Sequence, residues 1–436
     1  MKTVIGIRRE DKNQWERRVP LIPDDVAALV RNHGFDVVVQ PSEIRAFSDE
    51  EYVLAGAGIE EDLSSCAVVF AVKEIPSGMF QPARSYIFFS HVIKGQKDNM
   101  PMLKRMMELK CNLIDYEKIT DNANRRLILF GVHAGLAGMI DTLWALGQRL
   151  AWEEISNPFR SISQAYRYSD LNNAKEHIVQ VGERIKSEGI HPDLCPLIFG
   201  FAGYGNVSRG AQEIFDLLPV ETIEPDQVHK LRKSGSTNRN LLYKVVFKEK
   251  HLVKPISPEQ SFELQDYYDH PDKYRSVFDE YMLYMTVLIN ANYWDSRYPR
   301  LVTKAGLKEL FSRIPKPCLR VIGDISCDIE GSIECTSRIT DPGDPVYVYN
   351  PLTGESKNGF AGEGPVILAV DNLPSELPRE SSNDFSEMLK PFVPAIASAD
   401  YSIAFEKCSL PEEIKKAVIL YQGRLTPDYK YLEKYL

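Results

Sequence analysis

Short apolar runs alternate with helical patterns through the first 120 residues, and this limits the chain more than any other feature. The runs are Thr3–Ile7, Asp36–Val39, Ala67–Val72, Tyr86–Ser90 and Asn112–Tyr116. Helical spacing lies between them, as in Asp24–His33 and Met102–Leu109, with Pro20 and Pro23 ahead of the first helix and Asp24 able to cap it. Continuous apolar strands separated by helices predict a parallel α/β sheet. A length of 436 residues implies two or three domains.

A second α/β unit opens at Pro196. Strand Leu197–Phe201, a Gly-rich turn, helix Gly210–Leu218 and strand Glu221–Glu224 form the start of a βαβ unit. Further buried strands are expected at Thr286–Ile289, Leu319–Ile322, Val346–Tyr349 and Pro365–Val370, with a closing helix from about Ser382. Residues 157–192 read as a helix-bearing excursion, and 226–284 as helical with loops. Leu127–Gln148 is nearly long enough to span a membrane. Asp141 in its middle, and Gly131, Gly135 and Gly138 at spacings of four and three, also suit a buried helix pressed against a neighbour.

Composition narrows the function classes. With 52 Lys and Arg against 61 Asp and Glu, the net charge of −9 leaves no electrostatic footprint for nucleic acid. The seven cysteines show no C-x-x-C pair, so a zinc or redox site is not expected and a reduced, cytoplasmic compartment is. The N-terminus shows no signal-peptide pattern, and neither a membrane partner nor a metal is expected.

Two constellations carry chemistry. The first is Gly203-Tyr204-Gly205-Asn206-Val207-Ser208, between a predicted strand and a predicted helix. Gly203 would allow the tight turn, Gly205 would let backbone approach a pyrophosphate, and small Ser208 takes the third glycine position. Glu224, 21 residues after Gly203, could accept the ribose hydroxyls and favour NAD(H). Lys230, Arg232 and Lys233 could instead receive the 2′-phosphate of NADP(H). A ligand-free Gly-rich turn is the bland alternative.

The second constellation lies at strand ends. Lys73, His91 and Glu117 follow three apolar runs, and Arg18 sits in the loop after the first. Parallel strands bring their C-termini to one edge, where ligands bind. A Lys–His–Glu set can exchange protons near neutrality, and an Arg can grip a carboxylate. Taken singly, each residue is as easily a solvated or structural group. Asp324, after Leu319–Ile322, is either a strand-end residue at the cofactor or a turn residue.

Several stretches together resemble one family: Ile5–Asp11, Trp15–Leu21, Phe88–His91, Leu113–Lys118, Gly203–Ser208, Gly323–Ser326 and Val370–Pro374. The chain resembles the lysine–2-oxoglutarate reductase half of bifunctional α-aminoadipate semialdehyde synthase. It is similar to lysine-forming saccharopine dehydrogenases and, more distantly, to alanine dehydrogenase and the transhydrogenase N-terminal region. The resemblance implies two Rossmann-like domains with parallel sheets and an interdomain cleft, the first domain discontinuous. Residues 1–135 plus 335–436 would form the substrate domain, and 136–334 the dinucleotide domain.

The implied reaction condenses lysine with 2-oxoglutarate and reduces the imine to saccharopine. Lys73 and His91 would share proton transfers, Glu117 would tune them, Arg18 and Arg126 would hold substrate carboxylates, and Asp324 would lie near the nicotinamide. The resemblance favours NADP(H), with NAD(H) the alternative. Because the sequence ends where the bifunctional protein continues, a monofunctional reductase is expected, acting beside a separate saccharopine dehydrogenase or as a homo-oligomer. A related enzyme for another amine and oxo acid, or a non-catalytic nucleotide-binding subunit, are the rival readings.

Overall fold

The computed structural model describes residues 3–234 and 238–436. The chain divides into two compact units, Met1–Phe130 with Pro378–Leu436, and Gly131–Leu377. The second crossing therefore falls at 377/378, and residues 335–377, expected in the first domain, lie in the second. The reason is strand pairing: Val366–Leu368 joins Val321–Asp324 in parallel, which commits the segment to the second sheet.

The first unit holds an eight-stranded sheet. Its strands are β1 (Val4–Ile7), β2 (Asp36–Val39), β3 (Gly58–Ile59), β4 (Val68–Phe70), β5 (Ser85–Phe88) and β6 (Asn112–Asp115), with Val418–Tyr421 and Arg424–Leu425 from the chain's end. The order is Arg424–Leu425, Val418–Tyr421, β6, β5, β4, β1, β2, β3. All pairs among β1–β6 are parallel, and Val418–Tyr421 runs antiparallel to β6. The chain leaves β1 toward β2 and later returns to β4 on the other side, so β1 and β4 flank a switch point at which ligands bind in such sheets. Helix α1 (Pro23–His33) begins one residue before its expected cap: Ile22 is the N-cap, and Asp24 and Asp25 lie in the first turn, where a negative charge is favoured.

The second unit has β7 (Ile198–Ala202), β8 (Val220–Thr222), β9 (Leu242–Phe247), β10 (Val287–Asn290), β11 (Val321–Asp324), β12 (Val346–Tyr349), β13 (Ser356–Asn358) and β14 (Val366–Leu368). Their order is β13-β12-β14-β11-β10-β7-β9-β8. β9 lies inside the stretch read as helical with loops. Its apolar run is interrupted by Lys244, which is nevertheless buried and reaches Asp216 with its Nζ at 2.6 Å. One paired lysine masked a strand that is otherwise buried from Leu242 to Val245 and at Phe247.

Helix α2 (Gly131–Trp152) is the apolar segment around Asp141, and α3 (Leu171–Glu188) is the helix of the polar excursion. Among the described residues no helix is long and apolar enough to cross a membrane. The glycines of α2 permit close approach to α4 (Asn206–Phe215): a Cβ on Gly135 would stand 1.9 Å from the Val207 carbonyl oxygen. Reciprocally, a Cβ on Gly210 would stand 2.1 Å from that of Val132.

Asp141 of α2 is fully buried beside Glu376, and its Oδ1 accepts the Ala165 N–H at 2.7 Å. Burial holds both carboxyls above the usual range, and for Glu376 the neighbouring Asp141 charge adds to it. Two such groups are stable together only while they retain a proton. Raised folded-state values mean that the folded chain keeps protons the unfolded chain has released. Their stabilising effect is complete below ~pH 4 and is lost as pH rises through the folded-state values. Asp141→Asn keeps the shape without the titration. Its melting temperature is expected to fall less steeply than the parent's between about pH 5 and pH 8, by the equivalent of roughly 1–3 kcal/mol. Parallel profiles would refute the shared-proton reading.

Candidate active site

In the first unit the lips of the switch point are tied by Glu10, which follows β1. Its carboxylate accepts the backbone N–H of Val72 at 2.6 Å and of Lys73 at 3.0 Å, just beyond β4. Lys73 is thus fixed at its backbone by a buried acid, with a half-buried side chain. Burial pushes Glu10 up to about 7, and the charge of Glu16 adds to the rise.

His91 follows β5 in a left-handed conformation, φ 49°, unusual for a residue with a side chain. The strand end behind it is held by Asp115, the last residue of β6, which accepts the Ser90 N–H at 3.1 Å and the Glu117 N–H at 2.8 Å. One carboxylate therefore positions both the His91 loop and the Glu117 turn.

The group on His91 is Glu74, at 2.6 Å from Nδ1, and not Glu117. Burial works against ionisation of Glu74, but the hydrogen bond and charge of His91 outweigh it and bring the carboxyl down to about 2. Lys12 Nζ supports it at 3.0 Å. With Nδ1 engaged by a carboxylate, Nε2 is the nitrogen left to accept or donate a proton. Glu117 instead pairs with Arg126, which is half-exposed.

Arg18 is buried, with 3% of its surface exposed. Its Nε and Nη2 meet the two oxygens of Glu16 at 2.8 and 2.6 Å, and its guanidinium lies 4.1 Å from the centre of the Phe130 ring. Phe130 stacks on Phe385 at 4.6 Å, which also meets Tyr116 edge-on. Sequence reasoning passed over Glu10, Glu16 and Glu74. Glu10 and Glu16 stand inside the quoted stretches, and Glu74 adjoins Lys73; nothing local showed what each would meet.

In the second unit the switch point lies between β7 and β10, and the Gly-rich loop occupies it. Gly203 has φ 102°, and a Cβ there would stand 2.6 Å from Asn292 Oδ1. Gly205 is the N-cap of α4, and nothing lies within 4 Å of where its Cβ would point. That open space beside free helix N–H groups fits a pyrophosphate. Asn206 Oδ1 accepts from Arg209, and Val207 lends its carbonyl to the contact with Gly135. Ser208 is fully buried and accepts from Gln212 at 2.9 Å. Ser208 stands in the third glycine position, and the close approach to α2 is made two residues on, at Gly210.

Of the other two cofactor candidates, Glu224 is placed differently from expectation, while Asp324 ends β11 as expected. Glu224 follows β8, which is the edge strand and is separated from β7 by β9, so its exposed carboxylate is not on the strand beside the Gly-rich loop. Asp324 is 1% exposed and accepts from Asn290 at 2.8 Å and Thr336 at 2.5 Å. Burial lifts it to about 6 against those two bonds. It joins the ends of β10 and β11 through Asn290.

Residues 6–137 match the N-terminal domain of the alanine dehydrogenase/PNT family, and residues 273–428 its C-terminal domain. Over 99% of its length the chain is 39% identical to alpha-aminoadipic semialdehyde synthase of Arabidopsis thaliana and covers 41% of that protein. It is 36% identical, again over 99%, to the mitochondrial alpha-aminoadipic semialdehyde synthase of Bos taurus, covering 48% of it. The chain thus spans less than half the length of these relatives. It is 28% identical to saccharopine dehydrogenase (NAD(+), L-lysine-forming) of Emericella nidulans, over 89% of this chain and 90% of that one. Among solved structures, an L-alanine dehydrogenase matches with a TM-score of 0.63 at 19% identity over 99% of both chains. A transhydrogenase from Sinorhizobium meliloti matches with 0.58 at 16% identity, over 97% of this chain and 100% of that one. At these identities the structural likeness is one of fold.

Glu16→Ala removes the carboxylate that faces buried Arg18. It is expected to cost about 3 kcal/mol, read from the denaturant midpoint. The pair with Arg18→Ala should cost clearly less than the sum of the two single changes. Additive losses would show that the two side chains do not act as a unit.

Proposed function

The chain belongs to the alanine dehydrogenase/PNT family, and on that premise we propose that it condenses lysine with 2-oxoglutarate and reduces the product to saccharopine. The observation that carries the reading is the edge of the first sheet. There Lys73 is pinned through Glu10, and His91 is fixed through Glu74. A bound nicotinamide nucleotide would supply the hydride.

The chemistry asks two things of the protein. The lysine ε-ammonium must lose a proton before it attacks the ketone, and the carbinolamine must receive one to expel water. Lys73, half-buried at the sheet edge and fixed at its backbone by Glu10, is the base in this reading. His91 is the acid, acting through Nε2 while Glu74 holds Nδ1. Arg126, half-exposed and steadied by Glu117, meets a substrate carboxylate bidentately. Arg18, expected to hold a substrate carboxylate, is instead buried with its guanidinium paired to Glu16 against Phe130, and is not given that role.

Purified protein is expected to oxidise NADPH or NADH only when lysine and 2-oxoglutarate are both present. Lys73→Met and His91→Asn should each lower kcat by ~10²–10⁴-fold while leaving the nucleotide dissociation constant in place. Turnover with a different amine and oxo acid alone, or no turnover with either nucleotide, would overturn the assignment.

A further inference from the structure

The choice between the two nicotinamide dinucleotides can be read from the order of strands in the second sheet, given the dinucleotide reading of the Gly-rich loop. In sheets of this kind the adenosine ribose lies over the end of the strand that neighbours the Gly-rich strand. Here that neighbour is β9, not β8. Ala202 stands opposite Phe247 in register, and the Gly203 N–H donates to the Phe247 carbonyl at 3.1 Å. The next residue is Lys248, exposed, with its Nζ 5.8 Å from the ring centre of Tyr204, between the two loop glycines. Glu224 lies one strand further out, and its backbone N–H is bonded to the Gln227 side chain.

Two of the cations that follow Glu224 are engaged elsewhere. Arg232 donates to the carbonyl of Tyr284 at 2.8 Å, and so lies near the start of β10, at the opposite edge of the sheet. Lys230 is exposed and faces Asp226 at 4.0 Å.

Beside Lys248 a cavity of about 290 Å³ opens between the segments that follow β9 and β10. Tyr267, Tyr268, Tyr293, Trp294 and Tyr298 line it, flat surfaces suited to a purine. Glu249 joins this wall to the loop, accepting from Tyr268 Oη at 2.8 Å and from Tyr204 Oη at 3.2 Å.

We propose that this aromatic cavity receives the adenine of the dinucleotide and that Lys248 pairs with a 2′-phosphate on its ribose, which makes Lys248 the residue that selects NADP(H) over NAD(H). A lysine receives a phosphate as a point charge, and no carboxylate on β9's neighbour strand is needed to explain the choice.

The test titrates the full chain with two adenosine fragments, 2′,5′-ADP and 5′-AMP, by calorimetry, with no catalysis involved. The parent is expected to bind 2′,5′-ADP at least tenfold more tightly. Lys248→Ala, a change at an exposed side chain, should abolish that preference and leave 5′-AMP binding in place. Trp294→Ala should weaken both fragments together, with circular dichroism confirming its fold, and Glu224→Ala should move neither. Equal binding of the two fragments, a preference that survives Lys248→Ala, a loss caused by Glu224→Ala, or no binding of either fragment would each overturn the proposal. If the fragments discriminate as expected but lysine and 2-oxoglutarate give no turnover, the saccharopine assignment falls and this one stands.

Discussion

Much of the second unit depends on one close approach of backbone to backbone. Gly135 of α2 lies so near the Val207 carbonyl, and Gly210 of α4 so near that of Val132, that neither position has room for a methyl group. This contact fixes the start of α4 against a long buried helix. The Gly-rich loop is the connection between β7 and α4, so its position follows from theirs. Gly205 then presents open space at a helix N-terminus whose place is already determined. Of the glycines in this apolar segment, Gly135 is thus explained by helix packing, while Gly138 makes room for the side chains of Ile325 and Leu373.

Buried acids give both units a common electrostatic character. Glu10, Asp141, Asp324 and Glu376 are all lifted above the usual carboxylate range, and burial is the first cause in each. They differ in what offsets the cost. Glu10 receives two backbone N–H groups, Asp324 receives two side-chain donors, and Asp141 receives the Ala165 N–H with Glu376 beside it. Glu74 is the contrast. It is also partly buried, but the His91 ring and the Lys12 ammonium favour its charged form. With an ionised carboxylate against its Nδ1, His91 is left with Nε2 facing away from that pair.

Much of this was legible in the residues. The strands β1, β2, β4, β5 and β6 coincide with apolar runs, and Lys73, His91 and Glu117 fall just beyond three of them. The Gly-rich loop stands between the strand and helix that its spacing predicts. What was not legible involves partners distant in sequence. Lys244 made β9 look polar because the Asp216 that neutralises it lies on another segment. Glu74 adjoins Lys73 in sequence, yet its role comes from His91, 17 positions away. Glu224 fitted the expected spacing from the loop, but spacing along the chain does not say which strand inserts between two others.

By itself the sequence determined what local rules control: alternation of strand and helix, the loop conformation that demands Gly203, and the residues placed at strand ends. Period and backbone conformation are properties of a few neighbouring residues, so they can be read without the fold. Tertiary structure decided the strand order, the assignment of residues 335–377 to the second sheet, and the identity of each ion pair. Those outcomes depend on burial and on which distant groups meet. β9 beside β7 and Glu74 on His91 are the two instances that matter most, since the first puts Lys248 next to the loop and the second gives the histidine its partner.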